Sequence, residues 1–226
     1  MSKKIALENC KRCRRLYNHL QKIKIKYPDY FCKPVPAFGD KNAKLLIVGL
    51  APGLHGANAS GIPFTGDASG QFLFDTLYRF GFSSHSDSNI ASALTLFNCR
   101  ITNAVKCLPP QNKPSVKEAQ ICSRYYLSDE LSQLVPGSII LALGALAHNA
   151  VLKSFDKPLS SAKFGHNQCH IINQKVYLVD SYHCSRYNTQ TKRLTQAMFD
   201  QVFNTINDLL LQSDGNIESN QNIKNI

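Results

Sequence analysis

The sequence predicts an α/β fold in which helices cover both faces of a parallel sheet. Three observations carry that expectation. Short apolar runs of strand length alternate with stretches of helical period, the pattern of repeated βαβ units. Those runs are continuously apolar rather than alternating, as in strands buried on both faces. The two loops richest in special residues, after Gly49 and after Val179, each directly follow such a run. Open α/β sheets bind their ligands there, beyond the carboxyl ends of the strands.

Taken in order, the first 40 residues are basic and end in a Pro-rich passage (CKPVPAFGD, 32–40) that reads as an extended lead-in. Residues 44–49 (KLLIVG) form a buried strand entering a long loop, 51–68, without periodicity. Residues 71–80 place Phe72, Leu73, Leu77 and Phe80 at helical spacing, and Gly81 stops that helix. Residues 97–105 form a second strand that runs into the turn PPQNKP. Ser115 opens a helix that continues to about Leu134 and carries Cys122. A third strand spans 138–143, with a helix from Ala145, and a fourth spans 176–179, leading into SYHCSRYNTQ. The final helix lines up Leu194, Met198, Val202, Ile206 and Leu209 on one stripe. Residues 1–212 therefore read as a single domain, and the polar segment 213–226, low in aromatics, as a disordered tail.

The chain has 226 residues, 43% hydrophobic and 18% charged, the profile of a soluble globular protein with a real core. Lys plus Arg number 26 against 15 Asp plus Glu, a formal charge of +11. Ten of the cations fall in the first 33 residues, opposed only by Glu8 and Asp29. Such a surplus suits a polyanionic partner, whose neutralised phosphates release counterions, although a merely basic surface has the same composition. No apolar stretch follows the basic start, so no secretory signal is expected. The longest apolar run, 139–147, is too short to cross a bilayer. The expectation is a cytoplasmic protein, where disulfides are rare and eight cysteines call for another explanation.

Cys10 and Cys13 form a C-x2-C pair, while Cys107 and Cys122 are spread over a Pro-rich loop and a helix. A C-x2-C turn brings two thiolates to one metal centre. Zinc sites usually close with a second compact knuckle, so the open second pair fits four-thiolate cluster ligation better. Spacing alone leaves both iron–sulfur and zinc open. Lys11, Arg12, Arg14 and Arg15 surround the first pair, poor company for cysteines acting as buried hydrophobes. Cys32, Cys99, Cys169 and Cys184 lack such pairing and read as structural.

The loop 49–70 reads GLAPGLHGANASGIPFTGDASG, with six glycines that let backbone approach a ligand. Phe64 offers an aromatic face in it, and Asp67 is its only acid. Taken alone, Asp67 better suits the first turn of a helix. This segment, TNAVKCLPPQNKP (102–114) and HCSRYNTQTKRLT (183–195) resemble the signature segments of the type-b (family five) uracil-DNA glycosylases. The YFCKPVPAFGD lead-in and the four cysteine positions resemble that family too. The resemblance runs, in order, from about Cys10 to the last helix.

That resemblance implies a three-layer α/β/α sandwich around a four-stranded, mainly parallel sheet, with the N-terminal segment stapled by a structural [4Fe-4S] cluster on Cys10, Cys13, Cys107 and Cys122. It implies that Phe64 stacks on an extruded base and that Asp67 positions the attacking water. Asn103 would face the base, with Gly49 and Ala51 beside it, and His183 would touch a pyrimidine carbonyl. Two departures stand out: Leu50 and Ala51 replace the acid or Asn of related families, and Cys184 replaces the proline of a His-Pro-Ser loop. Arg186, Lys192 and Arg193 are expected to grip phosphates, with Tyr187 filling the vacated stack.

The function implied is a DNA-repair hydrolase that removes uracil from DNA, with other deaminated bases as further candidate substrates. It would act as a monomer, without a membrane, in the cytoplasm at the nucleoid. No lysine occurs in the 49–70 loop, so hydrolysis without a Schiff base or strand cleavage is expected. The alternatives are a uracil-specific type-a (family four) enzyme and a non-catalytic, metal-stapled DNA-binding module.

Overall fold

The computed structural model describes residues 6–89, 93–173 and 176–222, with side chains as far as residue 213. Its centre is set by the apolar runs. Strands β2 (Leu45–Gly49) and β4 (Ser138–Leu143) are buried at every position, because almost no side chain in them tolerates water. They sit in the middle of a six-stranded sheet ordered β1-β3-β2-β4-β6-β5. Here β1 is Phe38–Gly39, β3 Cys99–Asn103, β5 Cys169–Asn173 and β6 Val176–Ser181.

The four strands anticipated from sequence, β3, β2, β4 and β6, form the parallel interior. The expected four-stranded sheet is nevertheless two strands short. Antiparallel β1 and β5 close the edges. Both lack a periodic apolar signal: β1 has two residues, and β5 is mostly exposed, with a register shift between Ile171 and Asn173.

Helices cover both faces, giving three layers. Helices α3 (Ala68–Arg79) and α8 (Gln196–Asn222) bury Phe74, Leu77, Phe199 and Phe203 against Ile47, Leu141 and Val179. On the other face α5 (Ser128–Ser132) and α6 (Ala145–Ser154) pack on the sheet, and α4 (Val116–Cys122) leads into them beside α6. Leu127, Leu131 and Val151 meet Leu46, Ile140 and Leu178 there. Each such side chain contributes about 1.5–3 kcal/mol, and Phe203→Ala should cost about 3–5 kcal/mol.

The helix expected from Ser115 is nearly continuous through α4 and α5, interrupted by a π-turn at Ser123–Leu127. Ser115 and Glu118 close its start as a reciprocal capping box.

The basic N-terminal segment holds a helix that its charge concealed. In α1 (Arg14–Lys26), Leu16 and Leu20 lie one turn apart and are buried, while the cations face water. Arg15 anchors α1 to α4: its Nε and Nη2 donate to the two Glu118 oxygens at 2.8 and 2.6 Å. At the other end, α8 runs on to Asn222, so residues 213–222 extend a helix where a disordered tail was expected. Extending a formed helix costs far less than starting one, and Ser213 Oγ donates to the Gly137 carbonyl at 3.4 Å. Residues 223–226 lie outside the described residues.

Candidate active site

Parallel strands deliver their carboxyl ends to one edge of the sheet, and the loops leaving β2, β3 and β6 meet there. Gly49 ends β2 directly opposite Asn103, which ends β3. Around them opens a cavity of about 220 Å³ lined by Leu50, Ala51, Phe64, Asp67, Asn103 and His183, with Asn112 and Ser185 at its rim. That is below the roughly 300–1,000 Å³ of drug-sized pockets and suits one flat heterocycle.

The 49–70 loop, which includes the single-turn helix α2 (Ala57–Ser60), is compact because its glycines permit contacts that no side chain allows. A methyl group on Gly49 would fall 2.5 Å from Asn103 Oδ1 and 2.6 Å from the Phe64 ring. On Gly70 it would fall 1.8 Å from the Phe64 carbonyl oxygen. Phe64 is buried between them with a left-handed φ of 58°, a conformation rare for an aromatic residue. Asp67 does two things at once. It is the N-cap of α3, with Oδ1 accepting from Gly70 N at 2.9 Å. Its Oδ2 lies against the backbone of Gly53 and Gly56, at the cavity wall.

From the opposite wall, His183 faces Phe64, ring centroids 6.1 Å apart and planes inclined by 29°. Its Nδ1 is buried without a hydrogen-bond partner. Burial holds its pKa below the ordinary histidine range, against an upward pull from Asp67, so the imidazole is neutral at pH 7. Asn188 Nδ2 donates to the His183 carbonyl at 2.8 Å, and Ser185 caps α7 (Arg186–Gln190). Cys184 is fully buried with Sγ 3.5 Å from the Ser69 carbonyl, so it seats the loop on the start of α3.

Behind the loop lies a latch. His148 Nδ1 is 2.7 Å from Asp180 Oδ1, and its Nε2 is 3.0 Å from the Ala162 carbonyl. A carbonyl and a carboxylate both accept, so both ring nitrogens donate and His148 is an imidazolium. Burial opposes that charge, but the Asp180 hydrogen bond and attraction, aided by Ala162, raise its pKa. His170 Nε2 lies 3.3 Å from Asp180 Oδ2. Ligand atoms of His148, His170 and Asp180 lie within 4.8 Å of one another, yet both His148 nitrogens are already engaged.

A second cavity, against β3, brings Cys10, Cys13, Cys107 and Cys122 around one centre, with Leu16 and Tyr126. Lys106 N donates to Cys122 Sγ at 3.3 Å, and the Tyr126 hydroxyl bonds Cys10. Ala51 packs on this cluster and also lines the first cavity.

The model of the uracil DNA glycosylase superfamily matches residues 36–207, which include every wall of the first cavity. The chain belongs to the uracil-DNA glycosylase superfamily. A type-5 uracil-DNA glycosylase of Thermus thermophilus is 44% identical over 173 residues, covering 76% of this chain and 78% of that protein. One from Pyrobaculum aerophilum is 41% identical over 195 residues, 84% of each chain. A type-4 uracil-DNA glycosylase of the same organism is more distant, 33% identical over 153 residues, or 66% of this chain and 70% of that protein.

Within this superfamily member, the residues singled out from sequence converge. Phe64, Asp67, Asn103, His183, Gly49 and Ala51 meet at one cavity, and the four paired cysteines meet at the other. Arg186, Tyr187, Lys192 and Arg193 are all exposed on the His183 loop, and Tyr187 is 70% exposed. Arg193 lies over the Tyr182 ring at 5.0 Å. Of the remaining cysteines, Cys32, Cys99 and Cys184 are buried, but Cys169 is exposed on the edge strand.

Asn112 and Ser185 escaped notice. Asn112 reaches the rim because Gln111 and Asn112 both take φ of 55°. The Pro-Pro-Gln-Asn run was a usable signal, since Asn tolerates that conformation. A larger groove of about 670 Å³, between α4 and α6, holds none of these residues.

Proposed function

We propose that this chain is a monofunctional DNA glycosylase that hydrolyses the N-glycosidic bond of uracil in DNA, leaving an abasic site. The carrying observation is the convergence of Phe64, Asp67, Asn103 and His183 on a cavity sized for one base. Chemistry on a base inside a duplex requires extruding the nucleotide. Phe64 stacks on the extruded base. Asn103 and neutral His183 hydrogen-bond its edge, and His183 favours the negative charge that builds on the carbonyl oxygen.

As C1′–N breaks, the bonding pair leaves with the base and the sugar becomes oxocarbenium-like. Asp67 Oδ2 holds the water that adds to C1′, balances the sugar's charge and accepts the water's proton. The departing base recovers a proton from solvent. Among the described residues no lysine lines the cavity, which favours hydrolysis over a Schiff base and strand cleavage. The apolar wall at Leu50 and Ala51 supports acceptance of other deaminated bases, hypoxanthine included.

Cys10, Cys13, Cys107 and Cys122 hold a [4Fe-4S] cluster in this reading. The second pair sits apart, Cys107 on a loop and Cys122 at the end of α4, rather than in the compact knuckle usual for zinc, which supports four-thiolate cluster ligation. The cluster's contribution is structural: it fixes the basic N-terminal segment beside β3. Exposed Arg186, Lys192 and Arg193 contact phosphates. Such an enzyme works as a monomer where chromosomal DNA lies, in the cytoplasm at the nucleoid. Among the described residues no helix is long and apolar enough to cross a membrane.

The test incubates purified protein with duplexes carrying uracil, hypoxanthine or no lesion, then cleaves abasic sites with alkali. Cleavage at uracil without strand scission before alkali is expected. No abasic product from the uracil duplex would sink the reading and leave the DNA-binding module as its replacement.

A further inference from the structure

An aromatic cluster with no assigned role stands beside the cavity. Just past α1, Tyr27 and Tyr30 stack with centroids 4.7 Å apart and planes 12° off parallel. The His55 ring meets both edge-on, at 5.6 and 6.0 Å, and its Nδ1 lies 2.9 Å from the Tyr30 hydroxyl. This group belongs to two segments pinned together: Phe31 N donates to Ala59 O at 3.0 Å, and Cys32 N to Asn58 O at 3.1 Å. Lysines surround it. Lys24 Nζ donates to the Tyr30 carbonyl at 2.6 Å, Lys26 Nζ sits 5.3 Å from the Tyr27 ring centre, and Lys33 is exposed. Residues 21–33 hold four lysines against one acid, Asp29.

Its position gives the cluster meaning. His55 is exposed and stands two residues beyond Gly53, a wall of the base cavity. Two residues span at most about 7 Å, roughly two nucleotide steps along one strand. Aromatic faces among lysines are what a nucleic acid strand stacks and lies on. When the Tyr30 hydroxyl donates to Nδ1, the proton of His55 is on Nε2, which is then able to donate to a phosphate oxygen.

We propose that Tyr27, Tyr30 and His55, with Lys26 and Lys33, form a second contact for the DNA strand flanking the extruded nucleotide. The inference rests on the glycosylase reading and extends the substrate site along one flank. It implies that the enzyme needs several nucleotides on that side of the lesion and few on the other.

The experiment measures binding by fluorescence anisotropy. The probes are duplexes of one length carrying a tetrahydrofuran abasic analogue at the centre, near the 5′ end or near the 3′ end. Wild type should bind one end-placed lesion more weakly than the other two. The His55→Ala/Lys26→Gln variant should lose about tenfold on the central lesion and on the end placement that keeps the flank. It should match wild type on the placement that lacks it. Lys26→Gln/Lys33→Gln, changed only at exposed side chains, should reduce the salt slope on the central lesion by about two. Equal weakening on all three probes, or none on any, would overturn the proposal. If wild type excises uracil while these variants bind like it, only the platform falls. If wild type does not prefer a lesion duplex to an undamaged one, the glycosylase reading falls first.

Discussion

Phe64 and His183 come from loops at opposite walls of the cavity, yet their rings lie 6.1 Å apart and only 29° from parallel. In the proposed mechanism these are the stacking surface and the hydrogen-bonding ring, and they are already set face to face. Phe64→Leu keeps an apolar wall but removes the aromatic face. Single-turnover excision of uracil should fall about tenfold, the range of one lost base–aromatic stack, with little change in melting temperature. Unchanged excision would mean that Phe64 only fills space.

Asp67 combines a cap and a chemical group, and the two are separable. Asn also caps helices well, so Asp67→Asn should keep the Gly70 hydrogen bond and melt near wild type. It cannot hold water with a full charge, and single-turnover excision should drop by about two to four orders of magnitude. Binding of the lesion duplex should survive. Near-wild-type cleavage would pass the water to a backbone carbonyl of the same loop.

The cysteine chamber predicts colour. Protein purified without oxygen should be brown, with iron and sulfide in amounts fitting one cluster, and chelation should bleach it. Cys13→Ala should be poorly folded, because few apolar side chains besides Leu16 and Leu20 hold α1 in place. Colourless, zinc-loaded protein would replace the cluster with a single ion.

The latch behind the His183 loop makes stability depend on pH. Because its folded pKa is raised, the contribution of His148 is fully present below the unfolded value of about 6.5. It drains away as pH climbs through the folded value. The melting-temperature gap between wild type and His148→Gln should therefore be widest near pH 6 and shrink towards pH 9. His166 and His183, held low by burial, act with the opposite sign, which is why the difference between variants is the quantity to measure. A gap independent of pH would show that His148 is neutral.

Tyr187 stands at the start of α7 with most of its ring in solvent. As a wedge it should matter most where the pair is hardest to open. Tyr187→Ala should slow excision most from A·U pairs, less from G·U mismatches and not at all from single strands. The same loss on all three substrates would make it a support for the loop.

The sequence disclosed features written in adjacent residues. Continuously apolar runs announced the four interior strands, and the Gly-rich loop and C-x2-C pair announced the two cavities. What stayed hidden was assembled across distance or by contrast with local composition. His148 and Asp180 meet from a helix and a strand and have no shared spacing. Leu16 and Leu20 were masked by the lysines and arginines around them, and β5 by its exposed alternation. In sequence Asp67 suits both a cap and a chemical group, and the folded chain makes it a cap with a second oxygen to spare.

Gly49 and Gly70 close on Phe64 from two sides, and neither leaves room for even a methyl group. The rear of the cavity is consequently frozen for evolution as well as for engineering: a library randomised at these two positions should return glycine alone. Any drift in which bases are accepted has to pass through the front of the cavity, where Leu50, Ala51, Asn112 and Ser185 carry side chains that can be exchanged one at a time.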